Sequence, residues 1–557
     1  MKLSRPLLAI LAALFLFAWL LPANRTLVRP DEGRYTEIAR EMAISGDYVT
    51  PRLNGLKYFE KPPLQYWATA AAFSLFGQSD AAARWWPSFA GLLTLLFVFL
   101  GARAFADAMT AWAATAMLGA MAYFFIIAHI NTVDMGLTAF MTLTLVGLAR
   151  GFGVAGQSAG AARGWMVAAW AGAALAFLSK GLIGIVLPGA VFVLYVLITR
   201  QWRLLGRLEW FWGPLGFLLI ALPWPLLVQS RNPEWTHFFF IYEHFGRFSQ
   251  EEHERLGAVF YFVPILIIGL MPWTPAVLAL LRRQSWGNLS HCYRNTEINL
   301  PLLLAIWCAF IFLFFTASKS KLPSYLLPVT PAFALLLAPV LLTLRRRSFH
   351  WLLGSMCLIP VTLVVLALFR GEFVNAAYTQ GMVDAFAVHA LIGAFGFALA
   401  AYVAWRLNGR GRRADAVIVA AVVCALSGSV ASSGYEHFAP STSVKYLLQD
   451  FRQAEPSYQP TDAFYSVGLF EQTLQPYLQR YTIPVDWLDE LGLGAATDPD
   501  RVRFNFDDFV EEWQALERGY AITDGSQLPR LDHAGVDYRI VAADLRRIII
   551  ARHGVTP

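Results

Sequence analysis

From Leu7 almost to Ser432 the chain reads as long apolar runs separated by short polar stretches. About 20 apolar residues in succession are enough for a helix to cross a bilayer. Runs of this kind lie near 6–22, 82–102, 108–128, 134–149, 164–179, 181–199, 210–229, 257–281, 300–317, 323–344, 349–369, 384–405 and 415–431, which predicts thirteen transmembrane helices. A further apolar stretch, Leu64 to Gly77, follows Lys61-Pro62-Pro63 and is short for a span, so an interfacial or re-entrant helix is expected there. Between the first two spans the pattern changes. Eleven residues from Asp31 to Lys61 are Asp, Glu, Lys or Arg, and Tyr35, Ile38, Ala39 and Met42 fall at the i, i+3, i+4, i+7 spacing of one helical face, with Glu37, Arg40 and Glu41 on the other. This predicts an amphipathic helix lying on the membrane surface and ending at Gly46.

Loop charge sets the orientation. If Leu64 to Gly77 does not cross, the loops on one side hold eighteen Lys and Arg against seven on the other beyond the first loop. By the positive-inside rule the N-terminus is then cytoplasmic, and the charged first loop and the C-terminal tail lie outside. Met1 to Leu20 resembles a signal peptide, but Leu21-Pro22-Ala23-Asn24 is a poor cleavage site, so this segment is read as the first span.

With 57% hydrophobic and 15% charged residues, the chain is a polytopic α-helical membrane protein rather than a soluble one. After Ser432 the balance shifts, with nineteen acids against eleven Lys and Arg. A transmembrane domain over 1–432, with its first outer loop at 23–81, is therefore followed by an acidic soluble domain over 433–557. Ala463 to Val467, Tyr520 to Thr523 and Arg547 to Ala551 read as strands and Phe506 to Leu516 as a helix, so this domain is expected to be α/β. The cytoplasmic arginines suit anionic membrane lipid, and no segment resembles a nucleic-acid-binding module.

Charge placed beside a membrane is expensive unless it serves a charged ligand, so the first loop is the candidate active site. Asp31 opens the amphipathic helix, where an N-cap is the commoner use of an Asp, but Arg34 lies three residues on and Glu60-Lys61 return to the same surface. Asp134, where the third long helix emerges on the same face, has the same two readings. A pair of carboxylates at a lipid-water boundary can orient an acceptor, act as a base or steady positive charge on a sugar. Arg34 and Lys61 are the natural anion binders, and the prolines after Lys61 pin it more firmly than a side chain that snorkels to headgroups. Ser318-Lys319-Ser320-Lys321-Leu322-Pro323-Ser324-Tyr325 repeats this logic at the mouth of a later span. The outer loop from Arg231 to Arg255 carries Glu243, His244, Arg247, Glu251, Glu252, His253 and Arg255. Glu60 with His244 or His253 is a candidate divalent-cation site, although the spacing matches no metal-binding motif.

The stretches Asp31-Glu32-Gly33-Arg34-Tyr35, Glu37 to Met42, Gly46 to Gly55 and Tyr58-Phe59-Glu60-Lys61-Pro62-Pro63-Leu64 resemble the first outer loop of the GT-C glycosyltransferases related to protein O-mannosyltransferases. Within that superfamily the chain is most similar to the bacterial lipid A 4-amino-4-deoxy-L-arabinose transferases. The likeness continues at Asn131-Thr132-Val133-Asp134 and at Ser320 to Tyr325. It implies an inverting inner-membrane enzyme, with no required cofactor, that moves the aminosugar from undecaprenyl phosphate to lipid A phosphate on the periplasmic face and so protects against polymyxin. It also implies Asp31 and Asp134 as catalytic carboxylates, with Arg34, Tyr35, Tyr58, Glu60, Lys61, Lys321 and Tyr325 around the substrates. Two other readings compete. One is a polyprenyl-phosphate-sugar transferase acting on protein or polysaccharide. The other is a lipid-sugar flippase, which would place its polar groups nearer the bilayer midplane.

Overall fold

The computed structural model describes residues 5–21, 25–154, 156–246, 258–293 and 297–552. Among them, nine helices are long and apolar enough to span a membrane, or ten if the pair Phe262–Gly269 and Thr274–Leu280, bent by 106°, is counted as one span. The elements that position the site are α1 (Arg5–Leu20), α2 (Asp31–Ser45), the strands β1 (Arg52–Leu53) and β2 (Leu56–Lys57), α3 (Leu64–Phe76), α4 (Asp80–Ala83), α5 (Trp85–Phe105), α6 (Ala108–Gly119), α7 (Ala122–Ile127), α8 (Asp134–Gly153) and α9 (Ala159–Lys180). Helix α8 is the central one, almost wholly buried. Its neighbour α9 comes close because Gly172 has no side chain: a Cβ there would sit 2.9 Å from the Phe140 carbonyl oxygen. Small residues at helix crossings are how membrane helices gain packing contact.

The polar face expected of α2 does not meet solvent. Glu37, Arg40 and Glu41 are all buried, because the C-terminal region packs over the helix. Arg40 closes on Glu37 with two hydrogen bonds of 2.7 Å. Glu41 accepts the Gly55 amide at 3.0 and 3.1 Å, while burial and the neighbouring Glu37 push its pKa well up. An amphipathic helix with a solvated polar face is thus corrected to one enclosed by protein on both faces. Gly46, at φ 72°, does end it.

Asn54 and Gly55, at φ 57° and 76°, form the two-residue turn between β1 and β2 that only residues tolerant of the left-handed region make easily. The turn is sewn to the C-terminal region. Asn54 donates to the Thr482 carbonyl and accepts the Thr482 amide, both at 2.8 Å.

The C-terminal region is a mixed five-stranded sheet. Its strands are β3 (Ala463–Val467), β4 (Ile483–Val485), β5 (Gly519–Thr523), β6 (Arg539–Ala543) and β7 (Ile548–Ala551), in the order β4-β3-β5-β7-β6. β3 pairs in parallel with β4 and β5, and β7 is antiparallel to β5 and β6. The three strands expected from sequence are present, the last beginning at Ile548, the helix expected over Phe506 to Leu516 runs Phe506–Ala515, and β4 and β6 add to them. Alternating residues feed two cores. Phe464, Tyr520 and Ile549 face Phe451, and Tyr465, Ala521 and Ile550 face Phe509 and Trp513.

Candidate functional site

The site is built where the N-terminus of α2 meets α3, the start of α8 and the C-terminal region. Glu32 fixes α2. It accepts Arg84 Nε at 2.7 Å and Nη2 at 2.8 Å, the Val28 amide at 2.9 Å and the Asn131 amide at 3.1 Å. Burial works against its charge, but Arg25 and Arg84 outweigh burial and hold its pKa at about 2. With Glu32 committed to the scaffold, its neighbour Asp31 remains partly exposed, 3.7 Å from Arg34. Asp31 is the first helical residue and follows Pro30 in the cap position, and Asp134 likewise follows Val133, so neither is an N-cap.

Arg34 is the hub. Its Nη1 donates to Tyr58 Oη at 3.3 Å, Asp31 lies on one side, and Glu490 Oε2 approaches Nε to 2.5 Å from the other. That last approach lies off the hydrogen-bond axis, so Nε and Oε2 form an ion pair without a hydrogen bond. Burial opposes the guanidinium charge, but Tyr58, Glu490, Asp31 and Glu60 more than restore it. Tyr35 and Tyr58 are buried phenols held neutral by that burial, and the Tyr35 ring lies 5.8 Å from the ring of Tyr66. The Lys61 ammonium donates to the Glu60 carbonyl at 2.9 Å and lies 3.7 Å from the Glu60 carboxylate.

A second group forms at the mouth of α8 and α9. Asp134 pairs with Lys180, whose ammonium lies 4.9 Å from the centre of the Tyr325 ring. Lys321 is buried and donates to the Thr316 and Ser318 carbonyls at 2.9 and 2.6 Å, so its charge closes the end of the helix Leu300–Ala317. Asn131 joins the elements. Its amide reaches Glu32, its Nδ2 donates to Thr36 Oγ1 at 3.1 Å, and its Oδ1 accepts from Gln65. One buried side chain therefore ties together the helices that carry or follow Asp31, Lys61 and Asp134.

The side chain of His244 lies outside the described residues, as do Arg247, Glu251, Glu252, His253 and Arg255. Among the described residues, no three His, Cys, Asp or Glu side chains gather in a metal-binding cluster.

Sequence reasoning missed both the pairing of Lys180 with Asp134 and the approach of Glu490 to Arg34. Glu490 is one of many acids in an acidic region, and only the fold brings it to Arg34. Gly33 allows the approach: a Cβ there would come within 2.7 Å of the Thr473 amide nitrogen.

The comparisons agree with this architecture at both ends of the chain. Residues 4–239 match the dolichyl-phosphate-mannose-protein mannosyltransferase family, and residues 451–552 match the aminoarabinose transferase C-terminal domain. The undecaprenyl phosphate-α-4-amino-4-deoxy-L-arabinose arabinosyl transferase of Aeromonas hydrophila is 33% identical over 68% of this chain and 69% of its own length. That of Pseudomonas aeruginosa is 31% identical over 71% of each. The alignment with the Shewanella sediminis relative, at 31% identity, spans 65% of that protein, a little under two thirds. The crystal structure of ArnT from Cupriavidus metallidurans bound to undecaprenyl phosphate superposes over 100% of both chains, with a TM-score of 0.92 and 34% identity. Its apo form gives 0.89 and 35%. With those two matches at its ends, relatives above 30% identity across more than two thirds of their length and a superposition that leaves no part of the fold unmatched, this chain belongs to the aminoarabinose transferase family of polyprenyl-phosphate-dependent GT-C glycosyltransferases.

Proposed function

We propose that the protein transfers 4-amino-4-deoxy-L-arabinose from undecaprenyl phosphate to phosphate groups of lipid A, on the periplasmic face of the bacterial inner membrane, and so confers resistance to polymyxin and cationic antimicrobial peptides. The observation that carries this reading is the full-length match to a relative solved with undecaprenyl phosphate bound. The site chemistry supports it, because Glu60 acts on the Arg34 guanidinium and lies 3.7 Å from the Lys61 ammonium, so two cations share one carboxylate where a lipid-borne phosphate would arrive.

The chain crosses the bilayer thirteen times in this reading. The nine long helices are joined by α1, by α6 with α7, by the 17-residue helix Ile183–Thr199 and by the bent pair. Residues 1–432 form the transferase domain and 433–557 the periplasmic α/β domain. The excess of cytoplasmic arginine gives the orientation.

In the reaction, an oxygen of the lipid A phosphate forms the new bond to C1 of the sugar as the C1–O bond to undecaprenyl phosphate breaks, with inversion. The bond pair leaves on the polyprenyl phosphate. Arg34 and Lys61 stabilise that charge through positions set before reaction. The acceptor phosphate is already ionised near neutral pH, so Asp31 orients the acceptor or steadies the oxocarbenium-like sugar instead of acting as a strong base. Asp134, neutralised by Lys180, holds that ammonium at Tyr325. Lys321 fixes the loop that leads to Tyr325, and Tyr35 and Tyr58 wall the phosphate site.

The test is the purified full chain given undecaprenyl-linked aminoarabinose and lipid A. Release of undecaprenyl phosphate together with sugar-modified lipid A is expected, and both should be lost in Lys61→Ala and Asp31→Asn. Consumption of a lipid-linked hexose alone would overturn the assignment.

A further inference from the structure

Two loops rich in arginine meet at the end of the bundle away from the site. One is Arg345-Arg346-Arg347, which opens the helix Arg346–Met356, and the other is the turn between the helices Gln380–Gly409 and Arg413–Ser433. The helix Arg413–Ser433 reaches the site face at its far end, where Glu436 accepts the Thr26 amide at 2.7 Å, so its 21 residues put the turn about 30 Å away. Gly409 lets the loops close on each other: a Cβ there would lie 3.4 Å from Arg346 Nη2. Arg413 fastens them, donating from Nη1 to the Leu342 carbonyl at 2.8 Å with its guanidinium 5.6 Å from the centre of the Phe349 ring. Arg412 pairs at 2.7 Å with Asp415, the one acid across 344–357 and 402–415. Arg345, Arg346, Arg347, Arg406 and Arg410 are exposed, and among the described residues none of the five makes an ion pair or a side-chain hydrogen bond. Beside them Trp351 is 81% exposed and Trp405 47%, the latter with its ring 5.9 Å from that of His350. Exposed tryptophans next to arginines belong at the headgroup level of a bilayer.

We propose that this corner binds a phospholipid whose headgroup carries two phosphates, of the cardiolipin type, with one phosphate taken by each loop. Five guanidinium groups of one sign, drawn from two loops that touch, repel one another until an anion lies between them. Each fork matches a phosphate, and basic pockets between membrane helices are where headgroups of this kind are held. A lipid with a single phosphate satisfies one loop, whereas two linked phosphates answer both and tie the helix Arg346–Met356 to the hairpin that follows Gln380. Trp351 and Trp405 flank the same place and meet the glycerol and upper acyl chains. The bound lipid thereby steadies the last helices of the bundle, whose far end holds Glu436 against Thr26. The site lies apart from the reacting groups and stands independently of the function proposed above.

The experiment titrates the full-length protein in detergent with cardiolipin or, at equal phosphate, with phosphatidylglycerol, and reads retained lipid by native mass spectrometry and the melting midpoint in parallel. Three proteins are compared: wild type, the double variant Arg346→Gln with Arg410→Gln, and a control that removes the same charge elsewhere on that side, Arg203→Gln with Arg282→Gln. Wild type and control are expected to retain cardiolipin in preference to phosphatidylglycerol and to melt higher with it. The Arg346/Arg410 variant should melt as wild type does without lipid, bind cardiolipin roughly thirtyfold more weakly and lose the rise in midpoint. Three results overturn the proposal. Phosphatidylglycerol acting as well as cardiolipin would show a diffuse surface attraction, an Arg346/Arg410 variant that keeps cardiolipin and its stabilisation would remove these residues from the contact, and an equal loss in the control would show that net charge alone governs binding.

Discussion

Arg84 grips Glu32 through two parallel hydrogen bonds, Nε to Oε1 at 2.7 Å and Nη2 to Oε2 at 2.8 Å, with both side chains sealed from solvent. Arg84 also donates to the Thr26 carbonyl at 2.7 Å, and Arg25 lies 3.5 Å from the same carboxylate. The pair therefore locks α2 onto the end of the transmembrane bundle and sets where Asp31 and Arg34 stand. A buried bidentate pair is strongly destabilising to break, because the surviving charge loses its partner.

Glu32→Gln is expected to lower stability by ~3–5 kcal/mol. The wild-type pH dependence has a definite sign. The folded pKa of about 2 lies below the ordinary 4.5, so the native state holds this proton more weakly than the unfolded chain does. The contribution is complete above 4.5 and is lost as pH falls toward 2. Melting midpoints of the detergent-solubilised protein across that range check this, and the slope should flatten in Glu32→Gln.

Asp134 and Lys180 make a second enclosed pair. Asp134→Asn or Lys180→Met alone should destabilise by ~3–5 kcal/mol, whereas the double variant should recover much of that loss. Because Lys180 also faces Tyr325, the double variant is expected to fold and remain inactive. Thermal melts and transfer assays on the three proteins separate the two roles.

Asn131 connects Glu32, Thr36 and Gln65 from a fully buried position. Asn131→Ala removes both side-chain hydrogen bonds, at a cost of ~1–3 kcal/mol. Turnover should fall more than donor affinity does, since the helices bearing Asp31 and Lys61 lose their common tie to the start of α8. Steady-state kinetics show the split directly, and equal kcat with raised KM would place Asn131 in binding alone.

Gly33→Ala should weaken the seating of the C-terminal region, because its new methyl meets the backbone at Gln472 and Thr473, which cannot yield as a side-chain tip can. Faster proteolysis within 451–552 and reduced transfer are expected, and an unchanged digestion pattern would show that the backbone accommodates the methyl.

Much of this architecture was legible in the residues. Apolar run length marked the nine helices that are long enough to span a membrane among the described residues, Gly46 the end of α2, and the β-rich segments around Phe464, Tyr520 and Ile549 three of the five C-terminal strands. The error at Glu37, Arg40 and Glu41 has a physical source. Periodicity separates a helix into two faces but does not say what covers the polar one, and here a second layer of protein satisfies it with an internal ion pair and the Gly55 amide. Strands β4 and β6 are short or substantially exposed and carry little of the alternation that marks an element. Glu490 was invisible for a different reason. It meets Arg34 only through the docking of a distant region, and no local spacing encodes that.

The central claim is tested most directly by mass spectrometry of lipid A from cells that lack their own aminoarabinose transferase and express either this chain or Asp31→Asn. Aminoarabinose-modified lipid A is expected with the wild-type chain and none with Asp31→Asn at equal expression. Unmodified lipid A from cells with confirmed wild-type protein in the membrane would contradict it.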